Sequence, residues 1–343
     1  MKTFLVTGGA GFVGSHIALS LKARFENADV KVLDNLLRRG SEQNIPLLEA
    51  HGIKFFHGDV RIREDLENVG HFDSLIECSA EPSVLAGSSG SPAYVINTNL
   101  NGLINCAELC RRKQATLVFL STSRVYPVQK LIDAKISESD SRFDFTDQQT
   151  LSGVSSQGIS EDFPLQGYRS YYGASKYAAE VILEEYRHSA EFPIIINRCG
   201  VLAGPRQFGK ADQGIVPFWL KAHMNKEPLK YIGFNGSGKQ VRDMLHIDDL
   251  VNLIEIQLRQ TELFKDDTYN VGGGLKNSLS LVELTKLCQS LTGNTVEIEA
   301  SQEERYADIP IYITDNSKIQ KVSSWRPVKQ PLTVLEDIYR ETS

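Results

Sequence analysis

The sequence KTFLVTGGAGFVGSHIALSL, residues 2–21, indicates how the first half of this chain folds. The short apolar run at its start predicts a buried strand, and the periodic apolar residues at its end predict an amphipathic helix. The glycines between them fit both G-x-G-x-x-G and G-x-x-G-x-x-G, with Gly11 and Gly14 common to the two patterns. A strand, a glycine-rich turn and a helix in this order predict a parallel α/β domain.

Glycines with this spacing suit the binding of a dinucleotide. They permit a tight turn, a close approach of the backbone to a pyrophosphate and close packing of the helix on the strand, while the helix N-terminus faces the anion. A glycine-rich turn without a ligand is the alternative, and the flanking strand and helix disfavour it. The expected cofactor contacts in this loop are Gly8, Gly11, Phe12, Val13 and Gly14.

A carboxylate follows the next predicted strand, which spans residues 30–33. Asp34 lies 20 residues beyond Gly14, where an acidic side chain can bind the hydroxyls of the adenosine ribose. Its charge repels a 2′-phosphate, so we expect NAD as the cofactor and not NADP. Arg38 and Arg39 argue the other way, and we interpret them as a solvated loop or as contacts on the pyrophosphate side.

Two further strand ends carry candidate cofactor contacts. The strand predicted at 54–57 leads to Asp59, which either meets the adenine amine or caps the next helix. A fourth strand, predicted at 74–78, leads to a polar segment, and ligands of an open parallel sheet lie at the carboxyl ends of its strands. The expected cofactor contacts beyond the glycine loop are Asp34, Asn35, Arg38, Asp59, Val60, Ser79, Ala80 and Asn99, with Tyr172 and Lys176.

Tyr172 and Lys176 are the candidate catalytic pair. On a helix, a tyrosine four residues before a lysine lies on the same face, about one turn away. A free phenol titrates near ~10, and an adjacent ammonium lowers that pKa, so Tyr172 can accept the proton of an alcohol that loses hydride. Thr122 follows the strand predicted at 116–120 and can hydrogen-bond the same oxygen. Taken alone, the pair also arises by chance, and a threonine at this place also serves as a strand-end cap.

Composition and charge favour a globular enzyme and exclude several other classes of protein. The chain has 343 residues and a net charge of −6 without a long basic run, so nucleic acid is not an expected partner. No apolar segment approaches the ~20 residues of a membrane span, and the N-terminus does not resemble a signal peptide. The 5 cysteines are widely spaced and the 7 histidines are scattered, which predicts reduced thiols, a cytoplasmic protein and no metal site.

The glycine loop together with Thr122, Tyr172 and Lys176 resembles the extended short-chain dehydrogenase/reductase superfamily, the NAD-dependent nucleotide-sugar epimerases and dehydratases. The resemblance covers the whole chain. It implies a Rossmann-type doubly wound parallel sheet, a smaller α/β substrate-binding lobe, bound NAD and a CDP- or UDP-linked sugar as substrate. The implied domains are residues 1–198 plus about 246–265 for NAD, and about 199–245 plus 266–343 for the nucleotide sugar.

The resemblance also assigns the substrate contacts. The segment GSGKQVRDMLHIDD at 236–249 is similar to the superfamily's nucleotide-binding signature. Its Arg242, like Arg305, matches an arginine that holds the substrate diphosphate, a role that suits a guanidinium fork. Taken singly, an arginine more often forms an exposed salt bridge than binds a ligand. The implied substrate contacts are Glu81, Ser123, Arg124, Arg206, Gln213, Gln240, Arg242 and Arg305.

Within the superfamily, four stretches are most similar to the CDP-tyvelose 2-epimerases, also named CDP-paratose 2-epimerases. The reaction that this likeness implies is inversion of a sugar carbon, C2, by transient oxidation to a keto sugar. The last of the stretches also contains a capping box, Ser280 with Glu283, which predicts a helix start on physical grounds. The four stretches are 34–40, 206–208 with 212–214, 238–243 and 277–281.

Departures from the superfamily narrow the expected chemistry. Its dehydratases carry an Asp-Glu pair directly after the catalytic threonine, whereas this chain has Ser123 and Arg124, so elimination of water lacks its acid and base. The alternatives that remain are a UDP-sugar 4-epimerase, a reductase with net turnover and a non-catalytic NAD-sensing protein. The presence of Thr122, Tyr172 and Lys176 disfavours the non-catalytic protein.

Two further expectations concern the segment 127–169 and the quaternary structure. The segment is long for a connection in a compact domain, so we interpret it as a specificity-bearing lid or excursion, mobile in part. The resemblance implies a homodimer through two helices per subunit, one of which bears Tyr172. Burial within the subunit explains their apolar faces equally well; these faces contain Leu103, Ile104, Ala107, Ala178, Ala179 and Ile182.

Overall fold

The computed structural model describes residues 2–209 and 213–342 of the chain. The chain divides into two compact units. Unit 1 consists of Met1–Thr122, Tyr171–Arg198 and Val251–Thr268, and unit 2 of Ser123–Ser170, Cys199–Leu250 and Tyr269–Ser343. This division differs from the domain boundaries that the resemblance implies chiefly in the segment 127–169, which lies in unit 2 and not with the NAD-binding residues.

The strands are short, as expected for a chain that alternates strands and helices. They are β1 Thr3–Thr7, β2 Asp29–Asp34, β3 Lys54–His57, β4 Ser74–Glu77, β5 Thr116–Thr122, β6 Ile136–Glu138, β7 Phe143–Phe145, β8 Val154–Ser155, β9 Gly158–Ile159, β10 Ile194–Cys199, β11 Val201–Ala203, β12 Leu229–Tyr231, β13 Val241–His246, β14 Asp267–Val271, β15 Ser278–Ser280, β16 Ile298–Ala300 and β17 Ile311–Tyr312. The first five strands confirm the strands that the apolar runs predict, to within two residues at each end.

Helices follow most of the strands of unit 1 and form much of unit 2. They are α1 Phe12–Arg24, α2 Ile45–Ala50, α3 Arg63–Glu67, α4 Ala93–Ile96, α5 Gly102–Lys113, α6 Val128–Asp133, α7 Tyr171–Ser189, α8 Ile215–Asn225, α9 Ile247–Arg259, α10 Thr261–Phe264, α11 Leu281–Thr292, α12 Ser317–Val322 and α13 Pro331–Thr342. A π-helical turn, Asn97–Asn101, joins α4 to α5. Such turns often occur at functional sites.

A seven-stranded parallel sheet organises unit 1 and confirms the predicted Rossmann-type architecture. Its strand order is β14-β10-β5-β4-β1-β2-β3, so the order reverses between β1 and β4. The apolar run of β1 is fully buried on both faces, with Phe4, Leu5 and Val6 each at 0% exposure. Ligands of such sheets lie beyond the carboxyl ends of the strands at the point of reversal. In this chain that point carries the glycine loop.

Unit 2 contains a small mixed sheet and three packed helices. In the sheet, β13 pairs in parallel with β11 and β17 and antiparallel with β15. Helices α8, α11 and α13 enclose a core that includes Trp219, Leu284 and Leu335. The capping box at the start of α11 is confirmed, since the Ser280 hydroxyl accepts from the Glu283 N–H and the Glu283 carboxylate accepts from the Ser280 N–H.

The segment 127–169 is tied down within unit 2 by backbone and side-chain hydrogen bonds. It forms α6 and two antiparallel hairpins, β6–β7 and β8–β9. The Ile159 N–H donates to the Ile313 carbonyl at 2.8 Å, and the Phe143 N–H donates to the Lys239 carbonyl at 3.0 Å. Arg142 adds bonds from its guanidinium to Ser278. The segment 127–169 is therefore held in place within unit 2 by these hydrogen bonds.

None of the helices within residues 2–209 and 213–342 is long and apolar enough to cross a membrane. Packing within unit 1 buries several of the apolar side chains of α5 and α7 that could have formed a dimer interface. Leu103, Ala107 and Ala179 are 0–1% exposed within the subunit, while Ile104 and Ile182 are half-buried.

Candidate active site

The glycine loop is a cradle in which side chains have no room. Gly8 has φ +61°, and a Cβ there would lie 2.8 Å from the carbonyl carbon of Cys78 and from the Ser79 nitrogen. A Cβ on Gly14 would lie 2.3 Å from the Gly8 carbonyl oxygen. These neighbours are backbone atoms, so the loop requires glycine at both positions. A bare backbone turn at the start of α1 is the arrangement that fits the pyrophosphate of NAD.

Asp34 ends β2 and braces the same loop. One carboxylate oxygen accepts from the Ala10 N–H at 3.0 Å and the other from the Leu36 N–H at 2.8 Å. Burial raises the pKa of Asp34 above its ordinary value, and these N–H groups oppose that rise. The carboxylate thus stands at the predicted ribose-binding position while it holds the turn in shape.

Asp59 is engaged by its protein neighbours. Its carboxylate accepts from the Arg61 guanidinium at 2.9 Å and 2.6 Å and from the Asn35 amide at 2.9 Å. The hydrogen bond from Arg61 is the main reason that the pKa of Asp59 falls to about 2. The Asp59 carboxylate therefore stabilises the turn after β3, and its contact with adenine stays a prediction. Of the other predicted contacts nearby, Val60 is buried and Arg38 is half-buried.

Asn99 links the loop after β4 to the helix that bears the candidate base. The Glu81 N–H donates to its side-chain oxygen at 2.8 Å, and its amide nitrogen donates to the Glu81 carbonyl at 3.1 Å. The same nitrogen donates to the Ser175 hydroxyl at 3.0 Å, and that hydroxyl donates to the Tyr172 carbonyl at 2.9 Å. Asn99 lies in the π-helical turn and thus positions the loop that contains the predicted contacts Ser79 and Ala80.

The structure places the three predicted catalytic residues in unit 1. Thr122 is the last residue of β5 and is 6% exposed. Tyr172 and Lys176 lie one turn apart on α7, which begins at Tyr171 and confirms the helix that their spacing requires. Tyr172 is half-buried and Lys176 is buried. Their catalytic roles stay predictions.

The Lys176 ammonium lies in a cage of electron-rich groups. Its Nζ donates to the Leu120 carbonyl at 3.0 Å, lies 3.5 Å from the Glu77 carboxylate, and lies 4.4 Å from the centre of the Phe119 ring. Each of these groups attracts a positive charge, and together they fix the position of the lysine Nζ within unit 1.

Glu77 is a residue that the sequence reasoning missed. Glu77 is the one charged side chain in the segment 74–78, which otherwise has the pattern of a buried strand. A charged residue in a buried strand is rare without a partner, so this position indicated a buried ion pair. Burial raises the pKa of Glu77, while Lys176 opposes that rise.

A second buried ion pair was also missed, and it holds α7 on the sheet. The Arg198 guanidinium donates to the Glu180 carboxylate, with Nη2 at 2.7 Å from Oε2 and Nε at 3.2 Å from Oε1. The Ser121 hydroxyl donates to Oε1 of Glu180 at 2.5 Å. Glu180 is four residues beyond Lys176, so the pair fixes the helical face that carries both catalytic candidates.

In unit 2, Arg242 and Arg124 form a cationic pair. Arg242 donates to the Asp308 carboxylate at 3.1 Å and to the Ile309 carbonyl at 2.8 Å. Arg124 donates to the Ala307 carbonyl at 3.3 Å. Burial first, and then the Arg124 guanidinium, lower the pKa of Arg242 to about 10, against the effect of Asp308. The Arg242 guanidinium therefore lies in the field of the Asp308 and Asp243 carboxylates and of a second positive charge, Arg124.

Of the other predicted substrate contacts, Glu81 lies in unit 1 and the rest lie in unit 2. Arg206 has φ +58°, is half-buried and donates its N–H to Glu341. Gln240 donates to the Ile232 carbonyl at 2.9 Å. Ser123, Gln213 and Arg305 also belong to unit 2, and Asp212, part of one matching stretch, lies outside the described residues. The described residues contain no cluster of side chains that could hold a metal ion.

Comparison with known proteins gives the family of the chain. Residues 4–272 match the NAD dependent epimerase/dehydratase family. The chain is 30% identical over 347 residues to CDP-paratose 2-epimerase of Salmonella typhi, covering 99% of this chain and 98% of that enzyme. It is 28% identical to UDP-glucose 4-epimerase of Erwinia amylovora, covering 94% of this chain and 93% of that enzyme.

Solved structures share the fold over the full length. UDP-glucose 4-epimerase of Thermus thermophilus, solved in complex with NAD, matches with a TM-score of 0.79 at 26% identity and covers 99% of this chain and 98% of its own. UDP-glucuronic acid 4-epimerase of Bacillus cereus matches with a TM-score of 0.81 at 21% identity over 99% and 98% of the two chains.

Proposed function

This chain belongs to the NAD-dependent epimerase/dehydratase family, and we propose that it is an epimerase that inverts one carbon of a nucleotide-diphosphate sugar. The substrate that we favour is CDP-paratose or CDP-tyvelose, inverted at C2. The full-length similarity to a CDP-paratose 2-epimerase supports this choice. The observation that carries the proposal is the placement of Tyr172 and Lys176 on one face of α7, with the lysine ammonium held in its cage.

The chain's residues around NAD have separable tasks. The backbone at Gly8, Gly11 and Gly14 would hold the pyrophosphate, Asp34 would hold the adenosine ribose and Lys176 would hold the nicotinamide ribose. When bound, NAD supplies the acceptor, and then the donor, of the hydride in a reversible oxidation of the sugar. The carboxylate at Asp34 disfavours the additional phosphate of NADP.

Tyr172 acts as the general base. Its phenolate accepts the proton of the reacting sugar hydroxyl and later returns a proton to the same oxygen, so the enzyme ends in its initial state. The Lys176 ammonium stabilises the phenolate, which brings the pKa of Tyr172 nearer to neutrality. Thr122 orients the sugar oxygen by a hydrogen bond.

Inversion requires a substrate held firmly at the nucleotide end and loosely at the sugar end. We assign the diphosphate to Arg242 and Arg305, which keep the keto sugar bound while it turns. Arg124 belongs with Arg242 in the same cationic pair. Because Ser123 and Arg124 provide no acid and base pair for elimination, we do not expect a dehydratase.

The proposal is tested by the stereochemistry of the product. Purified protein is incubated with CDP-paratose and, in parallel, with UDP-glucose, and the sugar is followed by NMR. We expect inversion at C2 of the CDP-sugar. Inversion at C4 of UDP-glucose instead would identify the second candidate, a UDP-sugar 4-epimerase, which the similarity to the Erwinia amylovora enzyme favours. Absence of inversion with both sugars contradicts the proposal.

A matched variant tests the base. Tyr172→Phe removes only the phenolic hydroxyl, so we expect the rate to fall by about 10²–10⁴-fold while NAD binding is retained. The neighbouring Tyr171→Phe serves as its control, because Tyr171 is exposed and has no proposed role. Loss of activity in a variant that still binds NAD also separates a catalyst from a non-catalytic NAD-sensing protein.

The remaining expectations are part of the same proposal. We place the reaction in the cytoplasm because the 5 cysteines are free thiols, as a reducing compartment maintains them. We also infer a homodimer that uses α5 and α7, where Val181 is 48% exposed beside the half-buried Ile182. Sedimentation of the wild type and of Val181→Glu measures the oligomeric state. We expect the wild type to be a dimer and the variant to be a monomer.

A further inference from the structure

Glu77 is a buried carboxylate to which the proposed mechanism gives no task. It is the last residue of β4 and is 1% exposed. In the sheet, Thr7 of β1 lies opposite it on one side and Phe119 of β5 on the other. The carboxyl end of a central strand is the place at which such sheets hold their ligands. The carboxylate is therefore next to the functional region and far from water.

The Glu77 carboxylate contacts Lys176 and also accepts a hydrogen bond from the Ser79 N–H. The carboxylate Oε2 lies 3.5 Å from the lysine Nζ, and both side chains are 2% exposed. This oxygen has no hydrogen-bond partner among the described residues. A buried carboxylate usually accepts several hydrogen bonds. Here charge attraction across 3.5 Å is the main compensation, so the carboxylate and the ammonium act on each other strongly.

The other charged and titratable groups around the pair do not replace Glu77. Cys106 on α5 faces both members, and burial raises the pKa of its thiol well above the ordinary value, so it stays neutral. On α7, the next turn carries Glu180, whose charge is matched by Arg198. Glu77 is thus the negative charge that acts on the Lys176 ammonium at close range.

We propose that Glu77 is a positioning residue that sets the basicity of Tyr172 through Lys176. Its carboxylate anchors the ammonium of Lys176, which lies one helical turn from Tyr172 on α7, and offsets part of the ammonium's field. The inference rests on the proposed role of Tyr172 as the base. An uncompensated ammonium would stabilise the phenolate further and leave it a weaker base for the sugar hydroxyl.

The sign of the effect follows from electrostatics. A negative charge near a phenol disfavours the phenolate and raises the phenol's pKa, so removal of that charge lowers it. Glu77→Gln should therefore make Tyr172 ionise at lower pH than it does in the wild type.

The direct test is a titration of Tyr172 in the NAD-bound protein without substrate. Tyrosinate absorbs in the ultraviolet, and subtraction of the matching Tyr172→Phe protein isolates one of the 12 tyrosines. We expect the Tyr172 transition of Glu77→Gln at lower pH than that of the wild type, and that of Glu77→Asp, which keeps the charge, close to the wild type. Coincident transitions, or a transition at higher pH in Glu77→Gln, would overturn the proposal.

Two further measurements keep the result unambiguous. If Glu77→Gln does not fold, Glu77→Met removes the charge with an apolar side chain of similar length and is titrated instead. Once a substrate is known, the acid limb of the kcat–pH profile should move with the titration. Because the titration needs no substrate, a wrong substrate assignment leaves it unaffected, and a failure of either proposal is seen separately.

Discussion

Arg198 on β10 and Glu180 on α7 form a buried two-point ion pair, with Nη2 at 2.7 Å from Oε2 and Nε at 3.2 Å from Oε1. Both side chains are nearly excluded from water, at 7% and 5% exposure. Since α7 carries Tyr172 and Lys176, this pair holds the helix with the candidate base on β10 of the sheet.

Loss of one partner should be costly. Glu180→Gln leaves the Arg198 guanidinium buried without its countercharge, so we expect the free energy of unfolding to fall by about 3–5 kcal/mol. Urea denaturation measures this. Glu185→Gln makes the same change at an exposed site of the same helix and should cost no more than about 0.5 kcal/mol. Equal effects in the two variants would contradict the role of the pair.

The glycine cradle should not accept even one methyl group. Gly14→Ala places a Cβ 2.3 Å from the Gly8 carbonyl oxygen, so the loop must move. We expect the free energy of unfolding to fall by about 1–3 kcal/mol and NAD binding to be lost. Calorimetry measures both quantities. Gly90→Ala is the control, because a Cβ there meets nothing within 4 Å. Normal NAD affinity in Gly14→Ala would show that the cradle is not the pyrophosphate site.

The charge of Asp34 should determine the choice between the two dinucleotides. Asp34→Asn keeps the shape of the side chain and removes the repulsion of a 2′-phosphate, so the preference for NAD over NADP should fall at least ~tenfold, or about 1.4 kcal/mol. Dissociation constants for both dinucleotides measure this. Asp29→Asn, at the opposite end of β2, should leave the preference unchanged. A similar change in both variants would indicate an effect of net charge alone.

The buried thiols should stay unreactive at alkaline pH. Burial raises the pKa of Cys288 to about 12 and raises those of Cys106 and Cys110 as well. An ordinary thiol is largely thiolate at pH ~9.5, yet these three should resist iodoacetamide there in the native protein. Mass spectrometry locates the label, and urea-unfolded protein should be labelled at every cysteine. Rapid native labelling of Cys110 would contradict the packing of α5.

The excursion should depend on Arg142 for its anchoring. The Arg142 guanidinium binds the carboxylates of Asp144 and Glu283 and the hydroxyl of Ser278. Arg142→Ala should loosen the β6–β7 hairpin by roughly 1.4 kcal/mol and speed its cleavage by thermolysin about tenfold. Lys135→Ala, an exposed change in the same segment, should leave the cleavage rate unchanged. Equal rates in wild type and Arg142→Ala would mean that the backbone bonds suffice.

The local pattern of the chain was enough to predict the NAD-binding half. An apolar run before Gly8 and a periodic helix after Gly14 leave few alternatives to a parallel sheet with a dinucleotide at its switch point, because strand period, helix period and glycine sterics are local properties. The four-residue spacing of Tyr172 and Lys176 likewise required one helical face, and the capping box of α11 was predicted from sequence for the same reason.

The surroundings of these residues depend on contacts between segments far apart in sequence. Glu77 and Lys176 are 99 residues apart, and no local pattern indicates that their side chains meet in the core. The packing of 127–169 within unit 2 is of the same kind, since its partners Lys239 and Ile313 lie about 70 or more residues later in the chain, just outside β13 and β17. Residue types and spacings therefore identified the candidate chemistry, whereas the burial and pairing that tune it arise only when the strands assemble.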